Sequence, residues 1–253
     1  MSDFDRNAAA ARGGYADRAV AIDAGLRAHM LRVYNYMASA VALTGVLAYV
    51  TFQFAVVTND AGAITGFTPL GQFLFGGLFM WVLMLAPLAL VFFLSFRINS
   101  LDAGTARLLF FVYAALLGVS LATIFIAYTS TSITRVFFIS AAAFGALSLY
   151  GYTTKRDLSG MGSFLIMGLF GIIIASVVNL FLKSSGLDWA ISVIGVLVFA
   201  GLTAYDTQKI KDMYDGNDDS QSAGRKAVMG ALSLYLDFIN LFLMLLRLAG
   251  DRR

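Results

Sequence analysis

The chain has 253 residues, 59% of them hydrophobic and only 13% charged, with a mean hydropathy of +0.79 and a formal net charge of +3. That balance is far from a soluble domain's and identifies an integral membrane protein, most of whose chain lies in lipid, with no room for a separate soluble domain. The lack of cysteine excludes disulfides, thiolate metal sites and cysteine nucleophiles, and the small positive charge is explained by loop topology rather than by a nucleic-acid patch.

Residues 1–32, rich in Ala, Arg, Gly and Asp, show no cleavage site and read as a flexible cytosolic tail. Seven apolar runs follow: Val33–Val57, Phe73–Phe96, Leu108–Tyr128, Val136–Tyr152, Met161–Leu182, Trp189–Tyr205 and, with one acid inside it, Ala227–Leu246. Each has roughly the 17 to 25 residues a helix needs to cross the hydrocarbon layer, whereas barrel strands would show alternating segments of about 10. The expected fold is therefore all-α, a polytopic bundle of seven transmembrane helices over residues 33–247, followed by a short tail at 248–253. Pro87 is expected to kink the second run. Gly168, Gly171 and Ala175 in the fifth offer a small surface for helix packing. Tyr34, Tyr36, Tyr128, Trp189 and Tyr205, near run ends, read as interfacial anchors.

Thirteen Lys and Arg residues fall in the tail and in alternate loops, against only Arg135 and Lys183 in the others. The positive-inside rule then places the amino terminus and the Lys209–Lys226 loop in the cytoplasm. A full seventh crossing puts the carboxy terminus outside, although Arg247, Arg252 and Arg253 cluster there; a segment that enters and turns back is the alternative.

A carboxylate within a membrane helix costs at least about 2.5 kcal/mol, and the seventh run carries Asp237. At helical spacing Gly230, Ser233, Asp237, Asn240 and Met244 share a face, so the acid belongs to a polar stripe turned away from lipid. One reading is a protonated carboxyl that ties helices together. The other needs a partner, and Asp206 at the end of the sixth run supplies one. Nine residues separate Asp206 from Asp215 and twelve separate Arg225 from Asp237. With Asp215–Arg225 as the turn, both acids lie some 14 to 18 Å beyond it at about 1.5 Å per residue. Ser192, Gly195, Phe199, Thr203 and Asp206 form a matching stripe on the sixth run. Two acids facing each other in a low dielectric cannot both ionise cheaply, so the pair is expected to share one proton.

The segments "ISVIGVLVFAGLTAYDTQKI" and "ALSLYLDFINLFLMLLR", spanning Ile191–Arg247, resemble the signature segments of the Bax inhibitor family, the transmembrane Bax inhibitor motif proteins. The resemblance implies seven helices with the last enclosed by the other six, and a pH-sensitive calcium leak with a hydrogen-bonded aspartate pair as sensor and gate. Those positions match Asp206 and Asp237; Arg97, at the end of the second helix, matches a latch partner of the first acid in some members. The implied protein is a multi-pass bacterial plasma (inner) membrane protein, not an enzyme, without a cofactor or resident metal. Its partners are the lipid bilayer and calcium or other cations as transported ions. Two carboxylates are too few for a tight calcium cage of 6 to 8 oxygens, so passage is favoured over storage.

Other classes fit less well. An intramembrane aspartyl protease would share the acid pair, but the second acid sits in "YLDF" rather than after a glycine-x-glycine, and Pro69 and Pro87 are the only prolines. A serine protease lacks a buried base, since His29 precedes the first run. A retinal protein needs a lysine in the last helix, and Ala227–Leu246 has none. A non-conducting regulator that docks proteases or stress factors through the tail or cytosolic loop stays open, with no partner encoded in the sequence.

Overall fold

A computed structural model describes residues 3–59 and 63–253, with side chains of the first helix from Ala24 onward. Where the helices begin is set by side chains that satisfy the otherwise unpaired N–H groups of a first turn. Thr68, Asp102, Thr129, Ser184 and Asp219 each accept a hydrogen bond from the N–H three residues on. The chain order is α1 (Asp3–Ala55), a small antiparallel hairpin of β1 (Val56–Thr58) and β2 (Ile64–Phe67), α2 (Pro69–Phe75) and α3 (Phe79–Arg97). After a 3-10 turn at Ile98–Ser100 come α4 (Ala103–Ala127), α5 (Ser130–Thr153), α6 (Ser159–Leu182), α7 (Ser185–Asp212) and α8 (Ser220–Ala249). Seven of these helices, all but α2, are long and apolar enough to span a membrane.

The last helix is the core of the bundle. It packs against α1, α4, α5 and α7, and Leu232, Leu234, Tyr235, Phe238 and Leu241 along it are all buried. Around it, large apolar side chains face outward: Phe96, Leu180 and Phe181 are 82%, 72% and 83% exposed, as suits helices solvated by lipid rather than water. The seven-helix all-α bundle with the last helix central is thus observed.

Several boundaries differ from expectation, each for a local reason. The apolar run at Phe73–Phe96 is split, because Gly76 closes α2 and Gly77 takes a left-handed φ of 61° before α3 starts. The turn expected at Asp215–Arg225 ends at Asp219, whose carboxylate accepts from Ser222 N at 2.6 Å and starts α8 early. Those added turns cover the start of α4: Gln221 Oε1 accepts from Ala103 N at 2.8 Å, and Arg225 donates to Leu101 O at 3.3 Å.

Of the expected tail at 1–32, residues 1–23 lie outside those with described side chains, whereas residues 24–32 continue the first span, with His29 and Met30 buried. His29 is therefore not ahead of the first span, as the sequence suggested, but inside it, its ring 5.8 Å from that of Tyr214. Apolar Val33 to Val57 stops short too, Val56 and Val57 joining the hairpin. On α6 the packing glycines are Gly162, against Tyr205, and Gly168, against Val198, while Gly171 faces open space.

The carboxy-terminal residues are stitched into the far end of the bundle. Thr129 N donates to Asp251 O at 3.1 Å and Arg253 N to Ala127 O at 3.1 Å, and Arg135 pairs with Asp251 at 3.1 Å. Helix α8 thus runs the full height of the bundle, ending beside the α4–α5 junction.

Candidate functional site

The register of α7 against α8 fixes where the two acids sit. Small residues allow close approach at two levels: Ile210 lies against Gly230, and Met244 against Gly195. Asp237 is seven residues after Gly230 and Thr203 seven before Ile210, so these two share a level in the antiparallel pair. Asp206 is about one helical turn from that level. The turn is shorter than Asp215–Arg225, but the glycine contacts centre the antiparallel pair on its middle, so the offset of about one turn between the acids agrees with depths of some 14 and 18 Å.

Asp237 is 4% exposed, and its Oδ2 is buried without a hydrogen-bond partner. Asp206, half-buried, lies about one helical turn from its level on α7, and no hydrogen bond joins the two carboxyls among the described residues. The positive group acting on Asp206 is Lys209, in the next turn of α7. Arg97 is not brought to it: it is exposed at the end of α3, which packs chiefly on α4, and makes no ion pair among the described residues. Of the polar-stripe residues, Thr203 is fully buried and donates to Phe199 O at 2.8 Å. Asn240 and Ser233 are half-buried, with Asn240 donating to Leu236 O at 2.8 Å.

A line of hydroxyls reaches this region from the side, and no motif in the sequence had singled it out. Tyr34 and Ser148 share a hydrogen bond of 2.5 Å, Ser148 and Thr207 one of 2.9 Å, and Thr207 donates to Thr203 O at 2.7 Å. Tyr34 is therefore tied to the interior rather than serving only as an interfacial anchor. Its hydroxyl and Ser148 line a crevice of about 540 Å³ between α1 and α5, with Arg27 also in the wall. The available signal was the spacing of Thr203 and Thr207, which repeats the stripe of α7 one turn on. A second buried contact joins Tyr235 to Thr44 at 2.6 Å, and Thr44 to Ala114 O at 2.8 Å. Among the described residues no three His, Asp or Glu side chains converge as a metal cage.

An all-helical bundle whose central span buries Asp237 defines a polytopic membrane protein built to keep an ionisable group away from lipid. The family model for "Inhibitor of apoptosis-promoting Bax1" matches residues 26–253, and the chain belongs to the Bax inhibitor family. It is 52% identical over 236 residues to an uncharacterized protein of Rickettsia prowazekii (strain Madrid E), covering 91% of this chain and 92% of that one. It is 49% identical over 232 residues to the inner membrane protein YbhL of Escherichia coli (strain K12), covering 91% and 94%. An uncharacterized Caulobacter vibrioides protein matches over 260 residues at 44% identity, covering 100% of both chains.

Proposed function

We propose that the protein is a pH-sensitive leak for calcium or similar hard cations in a bacterial inner membrane, controlled by a proton that Asp206 and Asp237 share. The observation that carries this reading is Asp237 itself, a buried carboxyl whose Oδ2 has no hydrogen-bond partner, with Asp206 about one helical turn from its level on the facing helix. A buried polar atom left unpaired is costly unless a proton, an ion or water meets it. With one proton between them, the acids hold α7 against α8. Once both are ionised, they repel each other and attract a divalent cation, and the balance shifts toward an open arrangement. Two carboxylates suit passage better than storage, since a tight calcium site needs about 6 to 8 oxygens. The distribution of Lys and Arg supports an amino terminus in the cytoplasm, and the printed name of the Escherichia coli relative supports the inner membrane.

The test is calcium flux into liposomes holding only the purified protein, across pH, for the wild type and Asp237→Asn. The wild type passes calcium with a pH-dependent rate, and the variant, isosteric with the protonated acid and unable to ionise, keeps its Tm but loses about tenfold or more of the pH response. Identical profiles would remove Asp237 from the switch. No flux at any pH would make the protein a non-conducting regulator.

A further inference from the structure

At the end of the bundle opposite the α7–α8 loop, further along the same two helices than the acids, lies a second polar feature: a cavity of about 450 Å³ whose walls include Lys183, Asp188, Trp189, Arg247 and Arg252. We propose that this cavity binds the phosphodiester headgroup of an anionic phospholipid.

The first argument is unspent charge and donors. Three cations meet one carboxylate here. Asp188 is 3.7 Å from Arg247 and 3.9 Å from Arg252, both beyond hydrogen-bond length. Neither guanidinium donates a side-chain hydrogen bond among the described residues, although each carries five N–H donors in a fork that fits phosphate oxygens. Lys183, which closes α6 in a left-handed conformation with φ of 48°, makes no ion pair among the described residues. Helix α7 starts at Ser185 in the cavity wall, so the positive end of its dipole adds to the attraction for an anion. A single acid shared loosely between two arginines holds the cations in place without saturating them.

The second argument is position. The cavity opens where the apolar faces end, with Phe181 and Leu182 on α6 and Ile194 and Leu197 on α7 all more than half exposed in the turns next to it. Trp189, 64% exposed, stands in its wall as an amphipathic ring does at a headgroup layer. A free phosphate would meet the same cations, but only a lipid also covers the adjoining apolar surface. The topology adds a third point. This end carries few Lys and Arg, and those it has are not the ones that set orientation, so their convergence calls for another use.

The experiment uses the full-length protein in detergent, with bound species counted by native mass spectrometry and Tm followed in parallel. It is titrated separately with dioleoyl phosphatidylglycerol, dioleoyl phosphatidylcholine and inorganic phosphate. We expect one equivalent of phosphatidylglycerol to be retained in preference to phosphatidylcholine, with a rise in Tm. Lys183→Gln, which breaks no ion pair, and Arg252→Gln should each weaken retention severalfold, whereas Asp188→Asn, which removes the competing carboxylate, should strengthen it. Equal retention of the two lipids, or displacement of phosphatidylglycerol by inorganic phosphate, would overturn the lipid assignment. If Asp188→Asn weakens retention as Arg252→Gln does, the cluster only braces the helix ends, and the proposal fails. The calcium assay does not bear on this outcome, nor this one on it.

Discussion

Helices α6 and α8 invert the soluble-protein rule that the most apolar segment lies deepest. Helix α6 is the most apolar of the seven spans and carries no charged residue, yet only 11% of its apolar stretch is buried inside the protein; α8 carries Asp237 within its apolar run, yet 67% of its apolar stretch is buried. In a bilayer, lipid already satisfies apolar side chains, so apolarity gives no reason to be central. What draws a helix inward is the need to keep polar groups from lipid, together with small residues that let backbones meet. Polarity, not hydropathy, marks the interior here.

The sharpest way to break this contrast is to enlarge one glycine at a helix contact inside the bundle and one on the outward face of α6. A side chain at Gly151 on α5 would meet Ala204 O of α7 at 2.2 Å, whereas nothing lies within 4 Å of one at Gly171 on α6. Gly151→Ala should cost about 1 to 3 kcal/mol as the two helices are forced apart, and Gly171→Ala should fall within about 0.5 kcal/mol of the wild type; a fluorescence-detected Tm comparison in detergent decides it. Equal losses would mean that α6 is packed against something other than lipid. A smaller effect is expected from Tyr235→Phe, which keeps the ring contacts to Phe110 and Tyr113 and removes only the hydroxyl bonded to Thr44. Thr44 still donates to Ala114 O, so the loss should be about 1 kcal/mol in a denaturation series.

The smallest effect concerns the helix starts outside the membrane. The N–H and hydroxyl of Ser222 hold Asp219 below the usual carboxylate range, and those of Thr105 do the same for Asp102. A carboxylate whose folded pKa is depressed contributes stability above its unfolded value of about 3.8 and loses it as pH falls through the folded value. Hydrogen exchange in the first turns of α4 and α8 should therefore quicken below about pH 3.8, with the centre of α8 unchanged. Asp219→Ala should show the acid pattern of α8 already at neutral pH.

The presence and number of the spans were legible because twenty apolar residues in a row have few other uses. Their ends were not, because those depend on single side chains. Nothing in "DGNDDSQSAGR" tells a turn from a cap until Asp219 is seen to accept from Ser222, and the break before α3 rests on one backbone angle at Gly77. Asp206 and Asp237 stood out as charges in apolar runs, and the register that relates them came from Gly195 and Gly230, which the sequence placed on the right faces. Arg97 went the other way: its position at a helix end was correctly read, but the packing of α3 on α4 keeps it from α7. The hydroxyls of Tyr34, Ser148 and Thr207 were not legible because each alone is an ordinary residue, and only the meeting of three helices makes them a line.

The place of α8 at the centre also bears on biogenesis. The ribosome delivers α1 to α7 first, so the surrounding spans enter the bilayer before the segment around which they close. Until then, the surfaces that will receive Tyr235 and Asp237 must be filled by lipid, by water or by an insertion factor. Maturation of this protein is therefore a late plugging event, and a nascent chain stalled before Ser220 should present a hollow, protease-sensitive assembly rather than a partial copy of the finished one.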